Sequence, residues 1–180
     1  MTVNLTISRA TLADVPSIAE IYAHHVVHGT ASFELVPPDA AEIAARMTRV
    51  LDAGDPWLVA RDGGENVVGY AYATQMHSRA AYRFACENSV YVHHDRLGQG
   101  IGGALLAALL EACEAAGFRQ VVALIAGTEP ASVALHARAG FVEVGRLKSV
   151  GRKHGYWIDV LHMQRALGEG DRMPPEAEPC

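Results

Sequence analysis

The sequence predicts one mixed α/β domain in which strands and helices are interleaved. Three observations carry that prediction. Hydrophobic spacing switches repeatedly between a period of two and a helical period. Half of the 180 residues are hydrophobic and 19% are charged, enough apolar mass to bury a core without a disulfide or metal staple. A glycine cluster at 98–103 joins an alternating apolar run directly to a long apolar helical one. The resulting order is β-α-α-β-β-β-α-β-α-β-β.

Leu5 and Ile7 alternate with polar residues and form a short first strand. Thr11 reads as a helix N-cap, with Asp14 three residues on and Pro16 in the first turn. Val15, Ile18, Ala19, Tyr22 and Val26 recur at helical spacing until Gly29. Pro37-Pro38-Asp39 opens a second helix, with Ile43, Met47, Val50 and Leu51 on one face, and Gly54-Asp55-Pro56 breaks it. Residues 57–60 and 67–73 flank the Asp62-Gly63-Gly64 turn as a hairpin. Residues 82–92 form the next strand, Val90 and Val92 on one face, Ser89 and Tyr91 on the other. After the glycine cluster, residues 104–116 form a helix closed by Gly117, and 121–126 a buried strand. Pro130 starts a third amphipathic helix through Val133, Leu135 and Ala139, which Gly140 stops. Residues 141–147 and 156–163 are two closing strands around a turn at Gly151 and Gly155. Residues 168–180 hold glycine, proline and charge and read as a disordered tail, so the domain spans 1–167.

Composition excludes several classes. The net charge is −5 and no Lys/Arg run occurs, against a nucleic-acid partner. The most apolar stretch, 101–110, is too short to span a bilayer, so no membrane partner is expected. Residues 1–9 lack the pattern of a signal peptide. Cys86, Cys113 and Cys180 are odd in number and widely spaced, which fits neither a disulfide framework nor a zinc site and points to the cytoplasm. His24 and His28 stand one helical turn apart without an acidic third ligand, and His93-His94-Asp95 reads as a solvated loop. No metal is therefore expected.

The cluster Gly98-Gln99-Gly100-Ile101-Gly102-Gly103 satisfies G-x-G-x-x-G between a strand and a helix. Glycines let backbone N–H groups approach an anion, and a helix N-terminus adds partial positive charge. A pyrophosphate is the expected guest. A dinucleotide fold would need an acidic residue at the end of the next strand, but 121–126 reads Val-Val-Ala-Leu-Ile-Ala.

Three segments in order carry a resemblance: NSVYVHHDRLGQGIGGALL (88–106), EPASVALHARAGF (129–141) and GRKHGYWIDV (151–160). Together they resemble the GNAT superfamily of N-acetyltransferases, and the third resembles its phosphinothricin / methionine sulfoximine acetyltransferase group. The resemblance covers roughly residues 7–167 and departs from the superfamily pattern at Leu97 and Glu129. It implies a GNAT fold, with a mixed central sheet splayed at a β-bulge and helices on both faces. It implies acetyl-CoA as co-substrate, a small amino-acid analogue such as phosphinothricin or methionine sulfoximine as the amine, and a homodimer. A transferase for another amine, or a non-catalytic acyl-CoA sensor, are the alternatives.

The resemblance also implies residue roles. Glu87 is the general base, and its neighbours Phe84, Ala85 and Cys86 favour a raised pKa. His136 stands where the group protonates the leaving thiolate. The backbone of Val90, Tyr91 and Val92 pairs with the pantetheine amides, the glycine cluster holds the pyrophosphate, and Glu129 and Ser132 border the cofactor. An amino-acid substrate needs donors for its carboxylate and an apolar wall for its stem. Phe33, His77, Ser78, Arg79, Tyr82, Asn88, Ser89, Lys153 and Trp157 are the candidates.

Overall fold

The first two helices start where capping residues place them. In the computed structural model, which describes residues 4–127 and 129–175, Thr11 and Asp14 form a reciprocal capping box. It leads through a 3₁₀ turn, Leu12–Asp14, into α1 (Val15–His28). Asp39 caps α2 (Ala40–Asp52) by accepting the Glu42 N–H at 2.8 Å. The apolar faces expected for α1 and α2 are the buried ones.

The strands are β1 (Thr6–Arg9), β2 (Trp57–Arg61), β3 (Val67–Gln75), β4 (Ala85–Val92), β5 (Gln120–Ala126), β6 (Val142–Lys153) and β7 (Tyr156–Ala166). They form one sheet in the order β1-β2-β3-β4-β5-β7-β6. Every adjacent pair is antiparallel except β4 and β5. On one face, α3 (Ile101–Ala115) buries Leu105, Leu106 and Leu109 against the sheet, beside α4 (Pro130–Arg138). On the other, α1 and α2 pack over Trp57, Val59, Tyr70 and Tyr91. Helices thus cover both faces of a mixed sheet, as expected.

The parallel pair is short. β4 and β5 match only at Ala85↔Gln120, Cys86↔Val121 and Glu87↔Val122, although both strands continue. β4 keeps unbroken register with β3 from Gly69↔Val92 to Gln75↔Cys86, and β5 with β7 from Gln120↔Ala166 to Ala126↔Val160. The sheet is therefore splayed, but β4 carries no register slip against β3. Two internally regular halves diverge, and the register shifts lie at Ala60/Arg61, Glu143/Gly145 and Leu147/Gly151.

Several boundaries differ from expectation, among them the start of α3 at Ile101 inside the glycine cluster and the end of β7 at Ala166. The fourth strand starts at Ala85, because Tyr82 and Arg83 N–H groups bond back to Arg79 and Ala80 in a 3₁₀ turn, Ala80–Tyr82. β6 runs through Gly151 to Lys153, and the hairpin turns at His154 and Gly155, both with positive φ (50° and 81°), the geometry of a two-residue hairpin loop. Of the expected tail, Gly170 N–H bonds Leu167 O at 2.8 Å and Arg119 reaches Gly170 O at 3.4 Å, while 176–180 lie outside the described residues.

Asp14 joins the first helix to the sheet. It is 4% exposed, accepts the Thr11 N–H at 2.9 Å and pairs with Arg61 at 2.6 Å. Burial alone would raise its carboxyl; the Thr11 N–H and the Arg61 guanidinium outweigh it and hold the pKa below 3.8. Its stabilisation is then complete above the ordinary carboxylate range and is lost as pH falls through the depressed value. Asp14→Asn should lower the unfolding free energy at pH 7 by about 1–3 kcal/mol. Denaturant titrations from pH 7 to 3 should show the difference from wild type shrinking at the acid end.

Candidate active site

Glu87↔Val122 is the last matched pair before β4 and β5 part, so Glu87 stands at the apex of a wedge. One wall is β4 from Glu87 to Tyr91, and the other is Ala123, Leu124, Ile125 and Ala126 of β5. Ala31, from the α1–α2 connection, and Glu129, Ser132 and His136, at the start of and along α4, complete the lining. The His93 N–H bonds Val68 O and the Met76 N–H bonds Ala85 O, each at 2.9 Å, which commits the odd-numbered residues of β4 to β3. By the alternation of an antiparallel ladder, the backbone groups of Asn88, Val90 and Val92 face the opening. His25 Nε2 lies 2.9 Å from Val92 O and takes the outermost carbonyl. What remains is a row of backbone donors and acceptors ready to pair with an extended guest carrying amides.

Glu87 is half-buried, and burial pushes its carboxyl above the ordinary 4.5. Its partner across the strand pair is Thr74, and Tyr72 stands two residues along β3, opposite Ser89. His136 is 5% exposed. Its Nδ1 is 2.8 Å from Ser132 O, so Nδ1 carries the proton, and its Nε2 is 3.0 Å from Asn88 Nδ2. Burial lowers its pKa, partly offset by the Ser132 carbonyl, and so favours the neutral ring.

At the mouth, Gly98 and Gly100 have φ of 73° and 82°, which side chains with a Cβ resist, and Gly100 is the N-cap of α3. No side chain caps that helix, leaving its first N–H groups open to an anion. Gly103 has open space where a Cβ would be. The Ile101 side chain is core, so what it offers there is backbone. Leu97 is 60% exposed, and the adjacent Arg96 is turned away to Asp62 at 3.0 Å. The turn thus offers an anion its backbone N–H groups, with Arg138 of α4 lining the same hollow as Gly100 and Gly103.

Residues 7–162 match the family model described as acetyltransferase (GNAT) domain. The chain belongs to the GNAT acetyltransferase family. It is 53% identical over 164 residues to a phosphinothricin N-acetyltransferase of Alcaligenes faecalis, covering 91% of this chain and 83% of that one. It is 38% identical over 162 residues to an L-methionine sulfoximine/L-methionine sulfone acetyltransferase of Pseudomonas aeruginosa, covering 90% and 94%. A solved GNAT superfamily phosphinothricin acetyltransferase of Sinorhizobium meliloti, in complex with AcCoA, superposes with a TM-score of 0.94 at 46% identity, covering 97% and 94%.

In this GNAT chain the residues singled out for the acceptor do not all converge. Asn88 and Ser89 line the wedge. His77, Ser78, Arg79 and Tyr82 sit in the exposed β3–β4 connection, which Gln75 holds through the carbonyls of His77 and Arg79. Lys153 is not a free cation: it is 4% exposed and its Nζ donates to Ser32 O at 2.7 Å. Trp157 is 64% exposed beneath Arg152, away from the wedge lining. Phe33 lies directly over Gly151, where a Cβ would come within 2.3 Å of its ring. Sequence reasoning missed Ala31, the β5 wall and Tyr72. Nothing in a buried apolar strand marks it as one side of a cleft.

Gly151→Ala should drive the Phe33 ring off the β6 backbone. The ring is already 41% exposed, so denaturant unfolding should change by less than about 1 kcal/mol. Steady-state kinetics should show the KM of the amine rising several-fold and that of the acyl donor unmoved.

Proposed function

We propose that this protein transfers the acetyl group of acetyl-CoA to the amine of a small amino-acid analogue, phosphinothricin or methionine sulfoximine. The observation that carries the reading is Glu87 at the wedge apex, half-buried and raised in pKa, beside a strand whose backbone is free. The free groups of Asn88 and Val90 pair with the pantetheine amides, and the glycine turn at the α3 N-terminus takes the pyrophosphate. Glu87 removes the amine proton, directly or through a water. The tetrahedral intermediate then collapses with loss of the CoA thiolate. Arg79 and Tyr82, in the loop leading to Glu87, and Phe33 border the acceptor. The names of the relatives support the substrate class.

A second copy of this chain covers β6. That strand pairs with β7 alone and leaves Val142, Val144, Leu147 and Val150 at least half exposed, an apolar edge a lone domain would be expected to blunt. The cytoplasm is the proposed compartment, supported by Cys86 and Cys113, two buried thiols in contact that remain free.

Thiol release from acetyl-CoA against a panel of amines tests the reading. Turnover should be confined to phosphinothricin, methionine sulfoximine and methionine sulfone, with a polyamine, an aminoglycoside and a lysine peptide inactive. Glu87→Gln should lower kcat by about 10²–10⁴ while acetyl-CoA still binds. Because only the ionised base works and its pKa is raised, the acid limb of the wild-type profile should lie above pH 4.5 and vanish in the variant. Val144→Glu should shift the light-scattering mass toward that of a single 19.2 kDa chain.

A further inference from the structure

Asn88 holds a polar atom that the fold leaves unsatisfied. The residue is 6% exposed, lines the wedge one position beyond Glu87, and its Oδ1 has no hydrogen-bond partner among the described residues. Such orphans are few in native proteins, where a ligand or water commonly satisfies them.

The direction of the amide follows from its neighbours. Ser132 O is a carbonyl and only accepts, so the proton of His136 is on Nδ1. The neutral ring then presents a lone pair at Nε2, which accepts from Asn88 Nδ2–H and turns Oδ1 away from the ring. The reverse orientation needs protons on both ring nitrogens. An imidazolium there would be a buried cation, and burial opposes it. The other titratable groups lining the wedge are Glu87 and Tyr91, whose side chains project from the opposite face of β4, and Glu129, exposed at the N-cap of α4. Phe141 packs edge-on against the ring at 5.0 Å and adds no charge.

We propose that Asn88 Oδ1 accepts a hydrogen bond from an N–H of the bound ligand beside the reacting thioester, and that His136 is the positioning residue that aims it. The inference rests on the acetyl-CoA reading given above. In it the Nδ1 proton of His136 is held by Ser132, and the proton that reaches the thiolate comes from solvent. The ligand chemistry is an N–H donor lying in the wedge on the Asn88 side of β4, across the strand from the Glu87 carboxyl. The terminal amide of the pantetheine arm supplies one such donor, and the acceptor amine supplies another.

Asn88→Ala, His136→Phe, His136→Gln and the Asn88→Ala/His136→Phe double variant decide it, with thermal unfolding confirming that each is folded. Acetyl-CoA binding is read by calorimetry without amine, and turnover by thiol release. Asn88→Ala and His136→Phe should each lose about tenfold in kcat/KM, and the double variant no more than either. His136→Gln, whose amide oxygen can still accept from Asn88, should recover most of that loss, with the alkaline limb of the pH profile unmoved. A weaker acetyl-CoA Kd would identify the pantetheine amide as the donor; a raised amine KM with intact Kd would identify the amine. Asn88→Ala matching wild type throughout would overturn the contact. His136→Gln as inactive as His136→Phe, with losses that add to those of Asn88→Ala, would make His136 the proton donor instead. A wild-type chain that binds no acetyl-CoA would remove the function itself, an outcome distinct from wild-type turnover with an indifferent Asn88.

Discussion

The parting of β4 from β5 after Glu87↔Val122 is the constraint on which the site depends. A parallel pair that continued to Val92 would satisfy the backbone of Asn88 and Val90 and close the sheet. Because each strand is held along its length by its other neighbour, β3 or β7, the gap costs no internal order. The unsatisfied groups are confined to one cleft. The same parting sets Glu87 where the dielectric falls but the strand edge is still open, which raises its carboxyl without removing it from reach.

The electrostatics are local. The chain is net negative, and Arg96 beside the glycine turn is spent on Asp62, while Arg138 borders Gly100 and Gly103. Peptide dipoles, from two left-handed glycines and an uncapped helix start, add to that charge. Such donors are fixed in direction and lose little entropy when they engage. That is an advantage over a flexible lysine, and it explains why a leucine at position 97 is compatible with the fold.

Element order, caps and the two core faces were legible in the sequence, because they rest on periodicity and on side chains that act within a few residues. Thr11, Asp14, Asp39 and Gly140 each sit at the helix end they signal. The wedge was legible only through family resemblance, since its geometry is set by where two distant strands stop pairing. Lys153 shows the limit most clearly. A cation in a glycine-flanked hairpin reads as a free donor until the fold brings Ser32 O to it from 121 positions away. The end of β6 was misjudged for a related reason: Gly151 is a glycine because Phe33 presses on it, not because the chain turns there.

That contact and the Lys153–Ser32 bond lie two residues apart on the outermost strand, and both reach the connection that lends Ala31 to the wedge. Mechanically they make the β6–β7 hairpin a lever arm. Its far side forms the rim of the molecule, and its near end is bolted to the loop over the reaction cleft. A partner seated on the rim therefore meets the same hairpin whose Gly151, Lys153 and His154 touch the connection over the cleft.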